Sequence, residues 1–145
     1  MLEENIMEAR EIIVQGISAW NQWRNEHPSY AWGDYDLTHI CAPAKYRLPI
    51  SRPDLLGINL SNRDLTRANF EGCILQGVDL HGALLNGASF NDADLTGANL
   101  CGASLVGSHG TNTTFRQANL LGADCRDTRF VYCDFEHTCL NEVDL

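Results

Sequence analysis

From residue 53 onwards the apolar residues of this chain fall in a frame of five. Counting back from Leu145 in fives lands on Leu at 12 of 19 positions. It lands on Phe at Phe70, Phe90, Phe115, Phe130 and Phe135, which are all five phenylalanines of the chain. Two residues before each large residue runs a second column of small ones, among them Ala68, Ala83, Ala88, Ala93, Ala98, Ala103, Ala118 and Ala123. Asp or Asn stands between the two columns at 11 of the 19 positions, and nine of the twelve glycines follow the large residue by two. An α-helix cannot use this frame, because a five-residue step turns by roughly 140° and the Leu column would wander around the axis. A long strand cannot either, since its period is two. A short extended piece followed by a corner can. Residues two apart then face the same way, so the small residue and the Leu or Phe point inward and the Asp or Asn between them points out. The remaining two residues turn the corner, where Gly tolerates a positive φ. The pattern predicts an all-β solenoid with a dry Leu/Phe axis.

Segments such as Ala93-Asp94-Leu95-Thr96-Gly97 and Ala98-Asn99-Leu100-Cys101-Gly102 carry the motif A-(D/N)-L-x-x. On them the stretch 53–145 resembles the pentapeptide-repeat family. The resemblance implies a right-handed, quadrilateral parallel β-helix with four repeats to a coil. Nineteen repeats then build a rod roughly 22 Å long at the usual spacing of neighbouring strands.

Ahead of the repeats the period changes. Leu2, Ile6, Ala9, Ile13, Ile17 and Trp20 recur at steps of three and four, the mark of an amphipathic α-helix. Residues 1–27 are expected to form it, with Pro28 ending it and its apolar stripe capping the first coil. Its Glu3, Glu4, Glu8 and Glu11 against Arg10 and Arg24 argue against an anionic membrane surface. The element Trp20-Asn21-Gln22-Trp23-Arg24 is similar to the W-N-x-W-R entry helix of a pentapeptide-repeat subgroup common in cyanobacteria. In that subgroup the helix meets the coils after a few residues; here 28–52 intervenes as a linker segment. It holds Tyr30, Trp32, Tyr35, Tyr46 and Arg47, the residue types that dominate binding hot spots. These five are the candidate partner-binding residues, with packing on the coil flank as the alternative.

Charge narrows the function classes. The chain carries a net −9, and residues 54–145 hold 12 acidic against 5 basic side chains. This sign disfavours direct binding of nucleic acid. Some members of the resembled family imitate DNA and bind type II topoisomerases such as gyrase, which makes a DNA-mimicking inhibitor or protector the alternative function. The excess of seven acids over roughly 22 Å is about half the charge density of duplex DNA, so the first expectation is a rigid protein-binding or scaffold module.

Nothing in the spacing assembles a nucleophile, base and orienting group, so no enzyme, cofactor or metal is expected. Of six cysteines, Cys73, Cys125 and Cys133 point inward as small apolar fillers, and Cys73 and Cys133 lie about 14 Å apart, too far to bridge. Outward Cys101 stacks over His81, which is far short of a zinc signature. No apolar run reaches the ~20 residues of a membrane span, and no basic, apolar-cored leader opens the chain, so a cytoplasmic protein is the default.

Three further expectations concern the surface and the axis. Leu84 and Val106 lie one coil apart on one face, with Leu121, Val131 and Tyr132 scattered, which allows a small contact patch. Phe135, Leu140 and Leu145 would present an apolar end through which two chains could meet end to end. Gly110 is a gap in the axial column, to be filled by neighbouring Phe rings or by a small ligand.

Overall fold

The structure, a computed structural model, describes residues 59–145 together with Gln22 and Glu26. Gln22 and Glu26 are helical, and the Gln22 amide donates to the Glu26 carboxylate at 3.2 Å, one turn on. The rest of the expected capping helix and the whole of 28–52 lie outside the described residues.

Residues 59–145 wind as a parallel β-solenoid. Asn59 pairs with Asp79, Asp79 with Asn99 and Asn99 with Asn119, and the same step of twenty runs from Asp64 to Leu84, Ser104, Asp124 and Asp144. Four such columns make four faces. The first carries Asn59, Asp79, Asn99, Asn119 and Cys139; the second Asp64, Leu84, Ser104, Asp124 and Asp144. The third carries Asn69, Ser89, His109 and Arg129; the fourth Ile74, Asp94, Thr114 and Asp134. Most sides of the coil are too short to be more than single bridges. On the third face the pairing lengthens into strands β1 (His109–Thr111) and β2 (Arg129–Val131), parallel, with Gly110 opposite Phe130.

Backbone accounting explains why five residues suffice for a side. The large residue donates its N–H to the next coil, as Leu95 does to Thr114 O at 2.7 Å and Leu100 to Asn119 O at 2.7 Å. The polar residue before it donates to the preceding coil, as Asp94 does to Cys73 O at 2.9 Å. Each corner is closed by the following small residue: Ala98 N–H donates to Leu95 O at 2.9 Å, and Ala103 N–H to Leu100 O at 3.0 Å. The second corner residue takes a left-handed φ, between 56° and 69°, at every step from Asn62 to Glu142, as a type II turn requires. Eight of these residues are glycines and nine are not.

The Asp and Asn residues also face outward for a backbone reason. The Asp94 carboxylate accepts the Thr96 N–H at 3.0 Å, and Asn99 and Asn119 do the same for Cys101 and Leu121. Nine corners between Asn59 and Glu136 have this bond. The side chain therefore satisfies a corner N–H that the coil-to-coil ladder does not reach.

The core is the predicted axis. Leu65, Leu75, Leu80, Leu85, Leu95, Leu100 and Leu105 are fully buried with Phe70, Phe90 and Phe115, and the alanine column is buried beside them. Phe70 stacks on Phe90 with ring centroids 5.2 Å apart, and Phe115 on Phe135 at 4.9 Å. Phe130 meets Phe115 edge-on at 5.0 Å. The gap at Gly110 is therefore filled by protein: a Cβ there would run into Thr113 Oγ1 and come within 3.2 Å of the Phe130 ring. Cys73 departs from its expected role as a simple filler, because it is disulfide-bonded. Cys101, Cys125, Cys133 and Cys139 are free thiols.

Candidate interaction surface

The outward side chains stand in ladders one coil apart. The Asn99 amide donates to Asp79 at 3.1 Å, and the Asn119 amide to Asn99 at 3.4 Å. On the fourth face Gln76 donates to Asp94 at 2.6 Å across the coil step. Burial works against the charge of Asp94, but hydrogen bonds from the Thr96 hydroxyl, Gln76 and the Thr96 backbone outweigh it and hold the carboxyl below the usual range. Asp134 is held low chiefly by the Glu136 backbone N–H, with Arg116 adding to it.

Two arginines are occupied within the solenoid. Arg116 reaches Asp134 at 3.2 Å and Glu136 at 2.5 Å. Arg126 holds Asp124 through two bonds, of 2.9 and 2.7 Å, and lies 3.5 Å from Asp144. Those hydrogen bonds keep the Asp124 carboxyl below its ordinary range. Beneath this cluster burial, aided by the Asp124 charge, pushes the Cys125 thiol up to about 11.

The second face differs from the others. Leu84 is 46% exposed in its middle, Val106 is half-buried at one edge and Leu121 is 38% exposed at the other. Both edges are lined by glycine corners, Gly82, Gly102 and Gly122 on one side and Gly87 and Gly107 on the other. Gly102, Gly107 and Gly122 have open space where a Cβ would stand, while the Asn62 and Arg67 side chains lie against Gly82 and Gly87. Asp64 and Arg67 lie at one end of the face and Asp124, Arg126 and Asp127 at the other. An apolar centre with a charged rim is the anatomy of a protein-contact surface.

The sequence-derived partner residues Tyr30, Trp32, Tyr35, Tyr46 and Arg47 lie outside the described residues. Of the end-face residues, Phe135 is half-buried while Leu140 and Leu145 are exposed, Leu145 to 89%. Among the described residues no group of three or more His, Cys, Asp and Glu could hold a metal ion. The glycine edges of the second face were countable in the sequence, but they mark a face only once the step of twenty is fixed.

A repeating coil of four five-residue sides, closed by left-handed corners around a Leu/Phe axis, defines the class of quadrilateral β-solenoids. The model of the family described as pentapeptide repeats matches in eight copies, over residues 54–92, 93–124 and 111–145, and the chain belongs to that family. Its right-handed β-helix is the fold seen here. A solved pentapeptide repeat protein from the Arabidopsis thaliana thylakoid lumen is 36% identical, covering 59% of this chain and 59% of its own, with a TM-score of 0.58. The pentapeptide repeat protein Rfr23 from the cyanobacterium Cyanothece 51142 is 30% identical over 68% of this chain and 61% of its own, at a TM-score of 0.43. The plasmid-mediated fluoroquinolone resistance protein QnrB1 is 18% identical over 58% of this chain and 49% of its own, at a TM-score of 0.42. This chain spans less than two thirds of the length of each. No curated protein sequence matches it.

Proposed function

We propose that the chain is a non-enzymatic, rigid protein-binding module whose contact surface is the second face, centred on Leu84, Val106 and Leu121. The observation that carries this reading is the glycine-edged apolar strip on a rod whose other described surfaces are dominated by polar ladders. A rigid scaffold supports binding because little ordering entropy is lost on contact. The test is a pull-down from source lysate with wild type, Leu84→Arg and Arg116→Ala. A partner retained by wild type and Arg116→Ala but lost by Leu84→Arg is the expected result. Equal capture by all three would move the contact elsewhere, and a variant with 30–50 replaced by a Gly/Ser linker then tests Tyr30, Trp32, Tyr35, Tyr46 and Arg47.

Two other readings stand lower. DNA mimicry toward a topoisomerase is weakened because nine Asp and Asn side chains are committed to corner N–H groups and four acids are paired with Arg116 and Arg126. Salt-sensitive inhibition of gyrase supercoiling would restore it. End-to-end pairing of two chains through Phe135, Leu140 and Leu145 is the other. A monomer by light scattering at tens of micromolar would remove that reading.

A further inference from the structure

Arg67 and Asp127 stand in one column of left-handed corner residues, on the edge between the second and third faces. Between them in that column lie Gly87 and Gly107. Both end residues are exposed. Arg116 and Arg126 are held by acids of neighbouring corners, whereas Arg67 and Asp127 make no ion pair among the described residues. They cannot pair with each other within one chain: three coil steps separate them, about 14 Å at the spacing of neighbouring strands. The edge of the apolar face therefore reads cation, glycine, glycine, anion. Turned end for end, that order is its own complement.

Taking the second face as the contact surface, we propose that its occupant is a second copy of this chain, packed antiparallel about a two-fold axis that crosses the face at right angles to the rod. With the axis midway between the levels of Gly87 and Gly107, each copy's Arg67 faces the partner's Asp127, so the charge contact forms twice. Gly87 faces the partner's Gly107, and on the other edge Gly82 faces the partner's Gly102. The middle corners thus oppose backbone to backbone, and the apolar centres can close. The partner's Leu84 lands on Ser104, beside Val106 and one coil from Leu84. Asp64 meets the partner's Asp124, a carboxylate that Arg126 already holds through two hydrogen bonds. A parallel pair would instead set Asp64 against the partner's Asp64 and Arg67 against the partner's Asn62, giving the arginine no opposite charge. Opposed charges of this kind fix register and exclude the wrong arrangement. The contact spans only four coils, so association belongs at the weak end of the interface range.

The test is sedimentation equilibrium of the full chain up to about 300 μM at physiological salt. A reversible monomer–dimer equilibrium is expected, and Leu84→Arg should leave only monomer. Arg67→Asp and Asp127→Arg should each weaken the dimer roughly tenfold. Both positions already hold a charged residue at a left-handed φ, of 60° and 58°, so each corner accommodates the exchange. Asp127→Arg also lowers the net negative charge of each copy, so its weakening cannot come from overall repulsion. An equimolar mixture of the two single variants should pair at least as tightly as wild type, because a mixed dimer restores an opposite charge at both contacts. A chain that stays monomeric overturns the pairing. If capture from lysate still depends on Leu84, the face itself survives; if capture is indifferent to Leu84→Arg, both readings fall. A dimer indifferent to Leu84→Arg lies elsewhere on the rod and overturns the inference. So does a Leu84-dependent dimer in which the mixture gains nothing over the single variants.

Discussion

Ser108 is one of the residues at which the small column departs from Ala. It is fully buried, and its hydroxyl is the one buried side-chain polar atom among the described residues without a hydrogen-bond partner. An unsatisfied buried hydroxyl is costly, and Ala is what the column otherwise prefers. Ser108→Ala should raise stability by about 1 kcal/mol, read as an upward shift of the melting temperature. The corners make a second test at this scale. Gly97 has open space around the place where a Cβ would stand and a φ of +68°, while Gln117 holds a φ of 58° with a full side chain. Gly97→Ala should destabilise and Gln117→Gly should stabilise, each by roughly 1 kcal/mol, because a left-handed residue with a Cβ is strained. Equal melting temperatures for the pair would show that the corners do not resist side chains. Inward positions were legible at this scale, since a period of five with two inward residues has one geometric solution. The work done by the Asp and Asn side chains was not: their outward direction follows from the period, but the N–H they accept becomes visible only with the corner built.

At the scale of the side and its corner, Gly110 shows that one missing ring is repaired by its neighbours. Thr113 fixes its hydroxyl on Phe90 O at 2.8 Å and Phe130 closes over the glycine. A large residue restored at this position would therefore find its place taken. Gly110→Leu should destabilise by about 1–3 kcal/mol as overpacking, although Leu is the commonest residue of that column; a rise in melting temperature would refute the packing account. The acidic corners give the element a pH dependence. Asp94, Asp124 and Asp134 have folded-state pKa values below their unfolded ones. The stability they supply is fully present above the unfolded value near 3.9 and is lost as pH falls through the lower folded value. Melting temperature should hold from pH 7 to about 5 and fall below about 4. Asp94→Asn, which keeps the acceptor oxygen, should show the smaller acid loss. The expected elements before the repeats lie outside the described residues, apart from helical Gln22 and Glu26. An amphipathic stripe or a cluster of aromatics says that a segment packs or binds, but carries no frame to say against what.

Taken whole, the molecule is a stack in which each coil touches only the next, so its register can be tested by excision. Deleting 79–98 removes one full step of twenty and leaves Phe130 over Gly110. Deleting 116–120 instead carries Phe130 one side round, into the column of Leu105, and leaves the glycine unfilled. The longer deletion should keep its β spectrum and melt above the shorter one. The reverse order would mean that the ring contacts contribute little. The contact surface was only partly legible at this scale. Leu84 and Val106 could be placed near each other from the period, whereas Leu121 falls at the edge of the same face only once the step of twenty is fixed. The uniform step has one more consequence. It makes the outside of the rod a grid, with side chains repeating about every 4.8 Å along it. A helix lying lengthwise repeats about every 5.4 Å per turn, so it slips by ~0.6 Å at each coil and loses step within a few coils. Stacked extended segments share the grid's own interval. A partner that reads many coils in succession must bring a matching β-type spacing; one built from helices must cross the rod and grip it at a single level.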